Sequence, residues 1–181
     1  MILIINMCKQ GLGLSYEEFV QPIDDIVGKD NDSGKKVVHY LNINKKMIDK
    51  ADKIIICGTA LKDNDYIEHI EKFQWLKDTE SKVLGICAGA QVIAKVFGGK
   101  IIKNKEIGVV DIEIIDKRAL ITDIIKNQAY ALHNYGIKLT DSFIIGAKSK
   151  KSTQYFKHKE KEIYGVLFHP EVLNKEMIWK F

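Results

Sequence analysis

Two short segments some eighty residues apart carry a thiol, an imidazole and a carboxylate: Gly85-Ile86-Cys87-Ala88-Gly89 and His169-Pro170-Glu171. A thiolate can attack a carbonyl carbon, an imidazole can move the proton, and a carboxylate beside the imidazole fixes its tautomer and supports its charged form. The chemistry these types suit is acyl transfer through a covalent intermediate, with Cys87 as nucleophile, His169 as acid and base, and Glu171 as orienter. Taken singly, each segment has a plain reading. Gly-x-Cys-x-Gly can be a small-residue turn around a buried structural cysteine, and His-Pro-Glu can be a surface turn. Found in this order, each after an apolar strand, the two point to catalysis.

The elements around them must supply the geometry. Lys82-Val83-Leu84-Gly85-Ile86 reads as a buried strand and Ala88–Val96 as a helix that begins at once, which leaves Cys87 on the bend. A strand turning straight into a helix strains its corner residue and crowds the positions two either side, where Gly85 and Gly89 lack a Cβ. The helix N-terminus directs N–H groups and partial positive charge at the sulfur, favouring thiolate and a developing oxyanion. Proline pushes the residue before it toward extended geometry, so Pro170 is expected to project His169 and Glu171 to one side of an extended chain.

Through the first hundred residues strands alternate with helices: strands at Met1–Asn6, Lys36–Tyr40, Lys53–Cys57 and Lys82–Ile86, helices from Ser15, over Asn44–Ala51 and over Asp63–Lys77. Ser15-Tyr16-Glu17-Glu18 has the form of a capping box, and Pro22 must shorten or kink the helix it opens. After Gly98-Gly99 short strands follow one another, at Lys100–Lys103, Val109–Ile115, Gln128–Leu132, Phe143–Ala147 and Ile163–Phe168, which suggests antiparallel additions to one edge. Residues 117–126 and Lys175–Phe181 read as further helices. The pattern predicts an α/β fold of three layers, a mostly parallel central sheet with helices on both faces and antiparallel edge strands.

With 181 residues, 46% of them hydrophobic and 29% charged, the chain is expected to form a single domain spanning 1–181 with one ordinary core. No apolar run approaches the roughly 20 residues of a membrane helix. The N-terminal run lacks a basic flank and reads as a core strand, not a signal peptide, so a cytoplasmic place and no membrane partner are expected. Three cysteines, Cys8, Cys57 and Cys87, without Cys-x-x-Cys spacing argue against a disulfide framework and a zinc site. A net charge of +4 with interleaved signs gives no reason to expect a nucleic-acid partner. The local excess of lysine from Lys148 to Lys161 reads as a solvated hairpin.

Gly85-Ile86-Cys87-Ala88-Gly89-Ala90-Gln91 and Tyr164-Gly165-Val166-Leu167-Phe168-His169-Pro170-Glu171-Val172 resemble the nucleophile and histidine–glutamate motifs of the class I (triad) glutamine amidotransferases, a flavodoxin-like family. Weaker matches are Ile56-Cys57-Gly58-Thr59-Ala60 and Leu132-His133-Asn134. Among members, a free-standing chain of this length is most similar to the amidotransferase subunits of archaeal-type GMP synthases. The resemblance implies that Cys87 attacks the side-chain amide of L-glutamine and forms a γ-glutamyl thioester, and that His169, oriented by Glu171, protonates departing ammonia and activates water. It implies an oxyanion hole from the N–H groups of Ala88 and Thr59, and substrate contacts from Gly58, Gln91, His133 and Asn134. No metal or organic cofactor is implied, and because the chain shows no P-loop, the ammonia-accepting synthetase is expected on a separate chain.

Some positions depart from the pattern. Thr59 stands where the family has a second glycine, and if that position demands φ > 0 a β-branched residue there costs on the order of 1–3 kcal/mol. Ala60 replaces a proline, Ala90 a larger residue and Leu167 a frequent glutamine. Two other readings follow: a PfpI-type cysteine hydrolase, which takes its histidine from the position after the cysteine, here Ala88; and a non-catalytic relative that binds glutamine or a partner.

Overall fold

The computed structural model describes residues 1–9, 13–28, 34–119, 121 and 127–181. Ten strands and six α-helices occur among them: β1 Ile2–Asn6, α1 Leu14–Phe19, α2 Gln21–Gly28, β2 Lys35–His39, α3 Lys45–Asp49, β3 Lys53–Ile56, β4 Lys82–Ile86, α4 Ala88–Val96, β5 Lys100–Asp111, β6 Glu113–Ile114, β7 Gln128–Lys138, β8 Phe143–Lys148, β9 Thr153–His158, β10 Ile163–Val166, α5 Pro170–Leu173 and α6 Glu176–Lys180. Three-residue-per-turn helices fill Tyr40–Asn42, Asp65–Lys77 and Lys117–Ala119.

The large sheet runs β2-β1-β3-β4-β10-β9-β8-β6. The first five strands are parallel, with Ile4 beside both Val37 and Ile55, Ile55 beside Leu84, and Leu84 beside Tyr164. Counted through its parallel part, the order is the flavodoxin-like 2-1-3-4-5, with β10 as fifth strand. β9, β8 and β6 extend it antiparallel. β5 and β7 form a separate antiparallel pair, held to the rest by an Ala131–Phe168 bridge and by the His169 N–H donating to Tyr130 O at 2.8 Å.

Strand alternation explains the three layers. In β1, Ile2 and Ile4 pack with Phe19, Ile23, Val27 and Ile178 from α1, α2 and α6, whereas Leu3 and Ile5 pack with Ile48, Phe73, Leu76 and Val92 from α3, the 65–77 helix and α4. Both faces are covered, so the parallel strands are apolar throughout. Pro22 lies in the first turn of α2, where its missing N–H costs nothing, and the chain breaks into α1 and α2 just before it.

Four expectations change. Ser15 lies inside α1, and the cap is Gly13, with no side-chain bond. The 65–77 segment is a tight three-residue-per-turn helix with a non-helical residue at His69 (φ −119°, ψ 31°). The stretches expected at Lys100–Lys103 and from Val109 belong to one strand, β5. The lysine-rich stretch is no solvated hairpin throughout: β9 inserts between β8 and β10, with Gln154, Tyr155 and Phe156 fully buried. Of the helix expected over 117–126, Lys117–Ala119 forms one turn, and 120 and 122–126 lie outside the described residues.

Candidate active site

Cys87 is the N-cap of α4, with φ 48° and ψ −100°, the one positive-φ residue other than glycine among the described residues. The bend is held by close backbone approach. A Cβ on Gly89 would lie 2.3 Å from the Ile56 carbonyl oxygen, and one on Gly85 would lie 2.6 Å from the Gly89 carbonyl carbon. The glycines thus let α4 seat directly on β3 and β4 with Cys87 between them. Cys87 N–H donates to Val166 O (2.8 Å), which ties the bend to the strand that leads to His169.

His169 and Glu171 meet as expected, but by another route. Pro170 opens the short helix α5, so His169 is an extended N-cap (φ −103°, ψ 93°) and Glu171 lies in the first helical turn, not in an extended chain. His169 Nδ1 bonds Glu171 Oε1 at 2.7 Å, both side chains buried. Phe19 covers the imidazole, with ring centroids 5.3 Å apart. On the other side, Gly58 gives the ring its room: a Cβ there would sit 2.6 Å from His169 Cε1 and 3.4 Å from Cys87 Cβ. Sulfur and imidazole therefore flank one glycine.

No direct hydrogen bond joins them. The thiol donates to Leu132 O (3.7 Å), and His169 Nε2 is buried without a partner. Burial alone would drive the imidazole to its neutral form. The charges of Glu171 and Cys87, with the hydrogen bond to Glu171, outweigh that and hold its proton affinity well above that of an ordinary histidine. The imidazole is thus disposed to carry its charge beside the sulfur.

Cys87 opens into a narrow cleft of about 20 Å³ lined by residues that include Thr59, Ala88, Gln91, Leu132, His133 and Asn134. Ala88, first residue of α4, has an N–H without an intrahelical acceptor. Thr59 follows β3 and donates its hydroxyl to Asp63 Oδ2 (3.1 Å). It is not in the left-handed region, so the backbone strain considered for a threonine there does not arise.

The family described as glutamine amidotransferase class-I matches residues 27–178. A Thermoplasma volcanium protein, named as one of the subunits of a glutamine-hydrolyzing GMP synthase, is 32% identical over 137 residues, 72% of this chain and 68% of its own. The protein of that name from Pyrococcus furiosus is 32% identical over 173 residues, 80% of this chain and 89% of its own. The chain belongs to the class I glutamine amidotransferases. A crystal structure from Thermoplasma acidophilum superposes with a TM-score of 0.80 over 99% of this chain and 90% of its own at 24% identity, a likeness that shows the fold.

As a class I glutamine amidotransferase the chain is an enzyme, and its other expected site residues fall in two groups. Thr59, Ala88, Gln91, His133 and Asn134 line the cleft with Cys87, whereas Gly58 is buried against the His169 ring. Gln91 accepts from the Tyr66 hydroxyl and donates to Tyr135 O (3.0 Å), which leaves one amide N–H. Asn134 Nδ2 donates to Leu61 O (3.1 Å). His133 Nδ1 donates to Asn104 O (3.0 Å); burial pushes its proton affinity down and the His169 charge adds to that, against weaker upward pulls from the Asn104 carbonyl and Glu106. Tyr66, Asp63 and the Leu132 carbonyl were not singled out from sequence. A carbonyl leaves no mark in residue type, and Tyr66 reads as an ordinary core aromatic. Cys8 and Cys57 are buried, and burial pushes the Cys8 thiol up to about 11, far from a ready nucleophile.

Proposed function

We propose that the protein hydrolyses glutamine through a Cys87–His169–Glu171 triad and hands the ammonia to a synthetase on a separate chain. Cys87 thiolate adds to the side-chain amide carbon of glutamine. The N–H groups of Ala88 and Thr59 hold the oxygen that becomes negative, worth a few kcal/mol each in a dry site. His169, held protonated by Glu171, gives its Nε2 proton to the amide nitrogen; the C–N bond breaks and ammonia leaves a γ-glutamyl thioester. Neutral His169 then takes a proton from water as the hydroxyl adds, and collapse of the adduct frees glutamate and the thiolate. Gln91 and the backbone at His133–Asn134 form the wall against which the substrate lies.

The observation that carries this reading is the buried, partnerless Nε2 of a charge-supported His169 on the same glycine face as a helix-capping thiol. Two relatives matched over more than two thirds of their length are named as subunits of glutamine-hydrolyzing GMP synthases, which favours amination of a purine nucleotide in the cytoplasm as the fate of the ammonia. No described helix is long and apolar enough to cross a membrane.

A glutamine-like diazoketone should label Cys87 with one equivalent, and Cys87→Ser should abolish both labelling and glutamine hydrolysis. Absence of labelling with and without the synthetase, which should copurify with the chain, would leave a non-catalytic binding protein as the better reading.

A further inference from the structure

The cleft beside Cys87 holds one acidic side chain that glutamine hydrolysis as set out above leaves without a task. Among the described residues that line it, Asp63 is the only carboxylate, and none is a lysine or arginine. Asp63 lies half-buried between β3 and the 65–77 helix. Its N–H donates to Ala60 O (2.9 Å), which closes a turn and returns the side chain to Thr59. Its Oδ2 accepts from the Thr59 hydroxyl (3.1 Å) and from the Lys9 N–H beyond β1 (3.2 Å). Oδ1 accepts no hydrogen bond from a described residue. The Lys9 ammonium turns to Asp65 instead (3.8 Å), so no described cation pairs with the Asp63 carboxylate.

Glutamine enters as a zwitterion, and a charge taken out of water without a partner is costly. We propose that Asp63 receives the α-ammonium of glutamine on Oδ1 and so makes the site specific for an amide that carries an amino group at the far end of its chain. This deepens the glutaminase reading and rests on it for its kinetic test. Thr59, whose N–H is assigned to the amide oxygen, is one hydrogen bond away from Asp63. The α-carbon of glutamine is two methylenes from the amide carbon, so neighbouring residues of one loop meet the two ends of the substrate. Its α-carboxylate meets neutral donors, the spare Gln91 N–H among them, and the ammonium is the end by which the pocket discriminates. Both bonds that fix the Asp63 side chain fall on Oδ2. An asparagine with its oxygen in that place keeps them and loses only the charge, which separates holding a cation from supporting the Thr59 loop.

The test is inactivation of the chain, with its copurifying synthetase, by the glutamine-like diazoketone and by the same compound without its amino group. Each is resolved into half-saturating concentration and limiting rate. For the amino compound, Asp63→Asn should raise half-saturation at least about tenfold, the scale of one hydrogen bond to a charged group, with the limiting rate within about twofold. Wild type should bind the deamino compound more weakly by about the same factor, and Asp63→Asn should change nothing there. Wild-type half-saturation for the amino compound in Asp63→Asn, or equal losses toward both compounds, would overturn the proposal. Should the deamino compound label neither protein, a rise for the amino compound in Asp63→Asn no smaller than in Asp63→Ala supports the ammonium contact, and a smaller one overturns it. If wild type is never labelled, the glutaminase reading fails instead, and calorimetric binding of L-glutamine decides. Affinity at least about tenfold weaker in Asp63→Asn supports the contact, and equal affinity, or none in wild type, overturns it.

Discussion

At Cys87, the sequence was legible because its neighbours betray the geometry: two glycines at fixed distance mark where backbones touch, and the structure shows each with no space for a methyl group. A left-handed cysteine costs on the order of 1–3 kcal/mol, held in place by the strand and helix seated on it. At Thr59 the sequence left the strain conditional, since no residue type reveals backbone angles, and the structure shows that the condition is not met. The His169–Glu171 contact supports a pH prediction. With a folded proton affinity above that of the unfolded chain, His169 contributes stability that is complete below the ordinary histidine range and lost as pH rises through the elevated folded value. Glu171→Gln removes the larger of the two charges responsible. Its diazoketone inactivation should therefore fall off at lower pH than wild type, and its melting temperature should decline less between neutral and alkaline pH. An unmoved basic limb would show that Glu171 does not set the charge of His169.

Among the elements, those with apolar residues at one clear period were readable, and those completed by polar contacts were not. β9 escaped because a lysine-flanked strand containing Gln154 resembles a surface turn; it lies inside the sheet, where Glu106 accepts from the Gln154 amide N–H. β5 was split in two because Lys103, Asn104 and Lys105 interrupt its apolar pattern, and a one-faced strand with a bulge tolerates the interruption. In the 65–77 segment Phe73 and Leu76 are both buried three apart, a spacing that three residues per turn stack on one side. The strand–helix bend itself is set by contact between α4 and β3. Gly89→Ala would force a methyl carbon onto the Ile56 carbonyl, and α4 must lift off the sheet to admit it. We expect about 1–3 kcal/mol of lost stability in urea unfolding together with loss of Cys87 labelling. A variant as stable as wild type would mean that the bend yields at little cost.

For the molecule as a whole, the site gathers the carboxyl ends of three parallel strands, with Gly58 and Thr59 beyond β3, Cys87 beyond β4 and His169 beyond β10. Ligands of open α/β sheets bind along this edge, so the fold class made the site's place readable before any distance was known. Its size was not readable. A cleft of about 20 Å³ admits roughly one water, and the Tyr66–Gln91–Tyr135 chain spans one side of it. A wall that gives way would admit glutamine more fully; glutamine held by the wider form supplies part of the free energy for that, and a contact made outside the cleft can add to it, since a ligand shifts a conformation only by its differential affinity for the two states. The acceptor synthetase is the natural source: its docking would open the cleft where ammonia is wanted and leave the lone chain from spending glutamine. On this argument the isolated protein hydrolyses glutamine at least about tenfold more slowly than the same protein saturated with its synthetase, with most of the gain in substrate affinity. Tyr66→Phe, which cuts the chain at the Gln91 carbonyl, should raise the isolated rate and narrow the gap. Equal rates with and without the synthetase would mean that the cleft opens unaided.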